Sequence, residues 1–146
     1  MKRISPLVIA FALVAACTGI AVATINPGSE AGPKEPKIVT YPMTAIGGSG
    51  QHGSVTIKML NPTQTQVTIT LTGEPGAANE PAHIHSGACP SPGAVKWPLS
   101  NVVHGASTTT LDVPFSTINQ SGFAVNVHQS PTSLGTYKAC GDIAGG

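Results

Sequence analysis

Two neighbouring stretches alternate apolar and polar residues with a period of two, and they constrain the fold more than any other feature of this chain. SVTIKML (54–60) places its valine, isoleucine and methionine on one face. QVTITLTG (66–73) places a valine, an isoleucine and a leucine on one face and threonines on the other. This period is that of a β-strand with one face against a core. Asn61-Pro62 lies between the stretches and is a turn signal, so we predict two strands joined by a turn.

Further short β-like runs follow at about ten-residue spacing. They are AHIH (82–85), VKWPLSNVV (95–103), STTTLDVPF (107–115), GFAVNVH (122–128) and GTYKACGDI (135–143). Pro98 and Pro114 indicate edge positions or bulges, because proline cannot donate to a sheet ladder. The chain has no run with helical period longer than two turns. The pattern predicts an all-β fold, an antiparallel sandwich or barrel of about seven to eight strands.

The N-terminus, MKRISPLVIAFALVAACTGIAVA (1–23), is predicted to be a signal peptide. A positive end precedes an apolar run that is too short for a comfortable membrane span. Two cleavage sites compete. Ala21-Val22-Ala23 fits ordinary small-x-small cleavage, whereas Val14-Ala15-Ala16-Cys17 resembles a bacterial lipobox, in which Cys17 becomes the lipidated first residue. We favour the lipobox, with simple secretion as the alternative.

The segment after the signal, residues 24–42, is rich in Pro and Gly and has no hydrophobic period. We predict a linker there and a folded domain over 43–146. The protein is then exported, to a bacterial cell envelope as a lipid-anchored or periplasmic protein, or else secreted. Its contact with a membrane would be through the lipid anchor.

The charge pattern excludes a nucleic-acid-binding function. Cleavage before Cys17 removes Lys2 and Arg3 from the seven basic residues of the chain, leaving five against six acidic ones. Arg3 is the only arginine, and no basic patch is present. The acidic residues Glu74, Glu80, Asp112 and Asp142 are scattered, and we interpret them as turn or surface residues. For Asp142 the alternative is a hydrogen bond to a ligand histidine.

Three of the five histidines form a candidate metal site. His83 and His85 alternate about Ile84, and His128 alternates with the apolar residues of GFAVNVH. If the apolar residues face the core, these histidines all face outward. Imidazole ligands alone favour copper; the alternative is that they are surface histidines. His52 and His104 lie beside glycines and are interpreted as turn residues.

Cys89 and Cys140 are the two cysteines that remain after signal cleavage. Export favours a disulfide between them; the alternative is two free buried thiols. A bridge would tie the loop after AHIH to the last strand and stabilise the fold by about 4 kcal/mol in the chain-entropy model.

The ordered set AHIHSG, a cysteine, LSNVV, AVNVH and YKACGDI resembles the Cu/Zn superoxide dismutase superfamily from about Gly48 to Ile143. The resemblance implies a Greek-key β-barrel and one copper per chain, held by His83, His85 and His128. It also implies the family's disulfide between the two cysteines of the mature chain. A more distant resemblance is to CHRD-type domains, which carry an AHIH-like motif in a β-domain of poorly defined role.

Two departures from the superoxide dismutase pattern are clear. The family carries a long loop with a bridging histidine and the zinc ligands, but Cys89 is followed here by only PSPGAVKWPLSNVV, and His104 falls beyond that match. We therefore expect a copper-only-like variant without zinc. The family also has an arginine before the ACG segment, which orients superoxide. Tyr137 stands there in this chain, with Lys138 beside it, and a lysine lacks the fixed guanidinium geometry.

Three functions follow from these observations. The first is copper-dependent dismutation of superoxide by Cu(II)/Cu(I) cycling, which we expect to be weak because a near-neutral domain steers anions poorly. The second is a non-catalytic copper buffer or carrier. The third is a metal-free, CHRD-like surface module with Trp97 and Tyr137 as contact residues.

Overall fold

The computed structural model describes residues 35–146, which form eight strands and one short helix. The elements are β1 (Ile38–Ala45), β2 (His52–Asn61), β3 (Gln64–Thr72), β4 (Asn79–Ser86), β5 (Val95–Val103), β6 (Ala106–Leu111), α1 (Phe115–Ile118), β7 (Phe123–His128) and β8 (Tyr137–Ile143). The signal segment, the lipobox and most of the predicted linker lie outside the described residues. Within 35–146, no helix is long and apolar enough to cross a membrane.

The strands close into a barrel in the order β1-β2-β3-β6-β5-β4-β7-β8, and all neighbours are antiparallel. The chain crosses between non-neighbouring strands twice, from β3 to β4 and from β6 to β7. These crossings are the Greek-key connections, and they make β4 and β7 neighbours although they are far apart in sequence. The predicted fold class, an antiparallel Greek-key β-barrel, is confirmed.

The hydrophobic core is formed by the apolar faces of the alternating strands, as the period of two predicted, together with two residues of α1. It consists of Met43, Val55, Ile57, Val67, Ile69, Leu71, Ala82, Ile84, Leu99, Val102, Phe115, Ile118, Val125, Val127, Ala139 and Ile143. The turn predicted at Asn61-Pro62 joins β2 to β3.

The structure differs from the sequence prediction at the first strand and at the end of the sixth. The first strand begins at Ile38, five residues before the expected domain start at Met43. The apolar–polar alternation of this strand is weak because Met43 is its one fully buried side chain. The strand predicted over 107–115 ends at Leu111, and Pro114 instead precedes the single turn of α1. A proline suits a helix start, where its missing N–H needs no partner.

Pro98 lies inside β5, opposite His83 of β4. The backbone pairing of β5 with its other neighbour, β6, is recorded only at Val103 and Ala106. Side chains continue that link, since Ser107 Oγ donates to Ser100 O at 2.7 Å. Pro98 therefore lies where β5 makes few backbone hydrogen bonds to β6, and a residue without an N–H is tolerated at such a position.

Candidate metal centre

Strand pairing, rather than sequence proximity, brings the three candidate histidines together. In the β4–β7 register, Ile84 is opposite Val125 and His83 is opposite Asn126. Ile84 and Val125 are fully buried in the barrel interior. Because side chains alternate along a strand, His83, His85 and Asn126 lie on the opposite face, and so does His128, two residues beyond Asn126.

The ligand atoms of His83, His85 and His128 converge on one point. All three offer a ring nitrogen, and these atoms lie within 4.8 Å of one another. His83 Nδ1 is 2.9 Å from His128 Nε2. The ring centroids are separated by 4.9 Å for His83 and His128 and by 5.5 Å for each of the other two pairs. Three imidazole nitrogens at this spacing can share a single metal ion.

Two of the three histidines are buried, which argues against the alternative that all three are surface histidines. They do point away from the barrel interior, but His85 is only 4% exposed and His128 only 3% exposed. The loop after β4 contacts His85 through Gly93, and the loop after β7 contacts His128 through Leu134. His83 is partly accessible. Strand alternation could not predict this burial, because it shows which face of the sheet a side chain is on but not whether a loop covers that face.

Backbone carbonyls fix the orientation of the two buried rings. His85 Nδ1 donates to Gly93 O at 2.8 Å, and His128 Nδ1 donates to Leu134 O. A carbonyl oxygen can only accept, so each ring carries its proton on Nδ1 and keeps a lone pair on Nε2. Such bonds hold a metal-binding imidazole in the tautomer that can ligate.

The unsatisfied nitrogen His85 Nε2 is the strongest structural sign of a metal site. This nitrogen is buried, and no hydrogen-bond partner for it is present among residues 35–146. An unsatisfied buried acceptor costs about 1–3 kcal/mol. A cation held by His83 Nδ1, His85 Nε2 and His128 Nε2 would satisfy it, so the residues present fit a metal ion with imidazole ligands.

The environment keeps two of these histidines neutral. Burial lowers the pKa of His83 below 6.5, and the nearby His128 and His85 lower it further. Burial also lowers the pKa of His128; the hydrogen bond to Leu134 opposes this change, and His85 reinforces it. Neutral imidazole is the form that binds metals, so both shifts favour ligation near neutral pH.

The disulfide is present and braces the site. Cys89 is bonded to Cys140 across 51 residues, and it joins the loop after β4 to β8. Cys140 lies opposite Asn126 in the β7–β8 register. Asp142 Oδ1 accepts a hydrogen bond from Cys89 N–H at 2.8 Å. Asp142 is exposed, and this hydrogen bond holds the loop that carries Cys89.

Tyr137, which the sequence analysis noted as a departure from the superoxide dismutase pattern, lies beside His128. A bulge in the β7–β8 pairing places Tyr137 opposite His128, and their rings meet edge-on with centroids 5.2 Å apart. The neighbouring Lys138 lines a separate surface cavity together with Asn79, Glu80 and Gln129. The aromatic ring thus covers one side of His128.

The remaining candidate residues lie elsewhere. His104 adopts a left-handed backbone conformation, φ 52°, in the two-residue turn between β5 and β6. His52 begins β2 and is exposed. Trp97 packs edge-on against Phe123, with centroids 5.2 Å apart, and contacts the core. It is a packing residue in this structure rather than an exposed contact residue.

Glu80 corrects the prediction that the acidic residues are all at turns or on the surface. It is 1% exposed and accepts a hydrogen bond from Gln51 Nε2 at 2.6 Å. The strand predicted at 82–85 begins at Asn79 in the structure, so Glu80 lies inside β4. It has the same parity along the strand as the buried Ala82 and Ile84, which gives it the inward face.

Asn126 was missed by the sequence analysis. It is fully buried on the histidine face, and both of its side-chain polar atoms lack hydrogen-bond partners in the described part of the chain. The available signal was its type, because asparagine is disfavoured in the middle of a strand and GFAVNVH is otherwise apolar before its histidine.

Comparison with known proteins supports the fold. No family model and no curated protein sequence matches the chain. Solved structures of variants of superoxide dismutase 5 from Candida albicans do match, with TM-scores of 0.52 to 0.53 and 16 to 17% sequence identity. The matches cover 73% of this chain and 88 to 90% of those chains. At this identity the likeness establishes a superoxide dismutase-like fold.

Proposed function

We propose that this protein is an exported copper-binding protein of superoxide dismutase-like fold, holding one copper through His83, His85 and His128. The observation that carries the proposal is the convergence of three ring nitrogens within 4.8 Å on one face of the barrel. The cluster contains neither a thiolate nor a carboxylate, and purely nitrogen sites favour Cu(II) in the Irving–Williams order. The fold likeness points the same way.

Each histidine has a distinct task in this proposal. His85 and His128 are held by backbone carbonyls and define a rigid pair of nitrogens. His83 is partly exposed and lies on the accessible side of the cluster. Its Nδ1–H donates to His128 Nε2 in this arrangement, so ligation through both atoms needs the His83 proton to move to Nε2.

Copper at this position would supply one-electron chemistry by alternating between Cu(II) and Cu(I), which is the basis for weak superoxide dismutation. The accessible side at His83 gives a small anion a route to the cluster. With three imidazoles as its protein ligands, the metal would keep an open position for that anion.

A non-catalytic copper buffer or carrier is the second candidate. Tyr137 favours it, because a neutral ring contacts His128 where the superfamily has an arginine to orient superoxide. The chain has no arginine beyond Arg3, and its near-neutral charge gives little long-range attraction for anions. Buffering or carrying copper requires the same three histidines without a guided substrate.

Export is part of the proposal, and the disulfide supports it. Cytosolic thiols are kept reduced, whereas the cell envelope and the extracellular medium allow bridges to persist. Lipidation at Cys17 is tested by expressing the full chain and its Cys17→Ser variant in a bacterial host. A wild-type protein in the membrane fraction and a Cys17→Ser variant that leaves it are expected; equal partitioning would favour simple secretion.

Titration of the mature domain with Cu(II), followed by electron paramagnetic resonance, tests copper binding. One copper per chain with a nitrogen-rich signal is expected. His128→Ala should alter that signal, whereas His52→Ala, the same change at an exposed histidine outside the cluster, should not. A copper signal that is unchanged in His128→Ala would contradict a site shared by the three histidines. The metal-free module would then be the favoured function. Superoxide consumption by the loaded protein then separates catalysis from copper carriage.

A further inference from the structure

Asn126 is a buried residue on the same face of the sheet as the three histidines. It lies opposite His83 in the β4–β7 register, and it shares the outer face of β7 with His128, two residues away. His85 lies opposite Ala124, which places it diagonally across from Asn126. Directly opposed side chains in an antiparallel pair have Cβ atoms about 4.5–5.5 Å apart, and diagonal neighbours remain within reach. Asn126 therefore borders all three imidazoles.

The carboxamide of Asn126 is buried without a hydrogen-bond partner among the described residues. It is 0% exposed, and neither Oδ1 nor Nδ2 has a hydrogen-bond partner within residues 35–146. On its other side it borders Cys140, whose sulfur is engaged in the disulfide. His83, His85 and His128 each have one Nδ1 contact already, to another histidine or to a backbone carbonyl. A buried, unpaired amide is costly and calls for a missing partner.

Two unsatisfied buried atoms, Asn126 Oδ1 and His85 Nε2, thus belong to diagonal neighbours on the same face of the β4–β7 pair. Both are electron-pair donors to a cation. A packing role would be served better by valine, which fills a similar volume, suits a strand and buries no polar atom. The polar side chain fits a ligand that binds between the histidine rings.

We propose that Asn126 Oδ1 is a fourth, weak ligand to the metal, approaching from the buried side while the His83 side stays accessible. The carboxamide oxygen of glutamine is a weak ligand in some copper sites, where stronger imidazole and thiolate donors hold the metal. The proposal rests on the proposed function, since it assumes that the three histidines hold copper. It adds a position at which this chain tunes copper affinity and the electronic character of the centre.

Asn126→Val and Asn126→Asp test the proposal in opposite directions. Valine removes the oxygen, and we expect the copper affinity to fall on the order of tenfold with a changed copper hyperfine splitting. Aspartate offers a stronger, charged oxygen, so we expect tighter copper binding and a larger rise in melting temperature on copper loading than in wild type. A merely structural role would weaken both variants alike.

The matched control is Asn101→Val, the same substitution at an exposed residue of β5 whose amide bonds to Asn79. It should retain the wild-type copper spectrum and affinity. The unfolding of the chelator-treated proteins gives a readout that needs no copper. Asn126→Val should be more stable than wild type there, because it removes two unsatisfied buried atoms.

The outcomes separate this ligand from the proposed function. A wild-type protein that binds no copper at the histidines overturns both. A normal wild-type copper signal that is unchanged in Asn126→Val and Asn126→Asp overturns the fourth ligand alone. A chelator-treated Asn126→Val that is less stable than wild type also counts against it, since the amide would then be satisfied inside the fold by a buried water.

Discussion

His83 Nδ1 lies 2.9 Å from His128 Nε2, although the two residues are 45 positions apart in the chain. The contact exists because β4 and β7 are neighbours in the closed barrel. Since Leu134 O holds the His128 proton on Nδ1, His128 Nε2 accepts and His83 donates. A single proton, carried by His83 Nδ1, therefore lies between the two nitrogens that would both bind the metal.

Burial of His83 and His128 makes the stability of the metal-free protein dependent on pH. Both histidines have pKa values lowered from 6.5 in the folded state. Above the unfolded value they are neutral in both states, so they add no pH dependence. Below it the unfolded chain binds protons that the folded chain does not yet bind, so the free energy of unfolding falls until pH passes below the lowered pKa values. Denaturant unfolding of the chelator-treated protein, measured from about pH 7.5 to about pH 4.5, spans this window and tests the predicted fall. A His83→Gln variant with the same slope as wild type would contradict the assignment.

We expect the centre to prefer Cu(II) to Zn(II). The cluster offers three imidazoles, and no carboxylate or thiolate joins them in the described chain. Such a site follows the Irving–Williams order, so Cu(II) should bind at least about tenfold more tightly than Zn(II) and displace it. Competition between the two ions, with bound metal quantified after gel filtration, measures the ratio. Equal affinities would argue for a site shaped around zinc.

The disulfide should contribute about 4 kcal/mol to the free energy of unfolding, because it closes a 51-residue separation. The double variant Cys89→Ser and Cys140→Ser, compared with wild type in denaturant, measures this contribution. We also expect weaker copper binding in the double variant, since the bridge braces the loop that holds His85 through Gly93. Chemically reduced wild type is the matched control and should behave like the double variant. Unchanged stability in both would refute the contribution.

Tyr137→Arg should raise superoxide consumption by the copper-loaded protein. It places a guanidinium beside His128, where the tyrosine ring now packs edge-on. Electrostatic steering accelerates anion association by about 10–1000-fold, and we expect a gain of about tenfold that shrinks as salt is added. Tyr137→Gln is the control, because it removes the ring without adding charge. Equal rates for the two variants would show that charge at this position does not limit the reaction.

The histidine site illustrates how far strand alternation can be used. The pattern correctly placed Ile84 and Val125 in the interior, and therefore His83 on the other face. It could not reveal that the loops after β4 and β7 bury His85 and His128, because loop paths are not periodic. A register shift had the same effect at Tyr137, since a bulge in the β7–β8 pairing breaks the count of alternating positions. Glu80 was misjudged for another reason: β4 begins at Asn79, three residues before the predicted strand.

The sequence by itself determined the local elements of this protein. Alternation specified most of the strands and their apolar faces, Asn61-Pro62 specified a turn, and the ordered motifs around His83, Cys89, His128 and Cys140 indicated the barrel type. These features depend on residues that are close in the chain, where backbone geometry alone sets which side chains share a face. The first strand escaped notice because one buried residue, Met43, gives too little periodicity.

Only the tertiary structure decided what lies beside what across the barrel. The adjacency of β4 and β7 follows from the Greek-key crossings, and it turns three separate histidines into one cluster. The same adjacency buries Asn126 under the rings without a partner. Such relations arise from closing the whole sheet, a property of all eight strands together, so no stretch of sequence contains them.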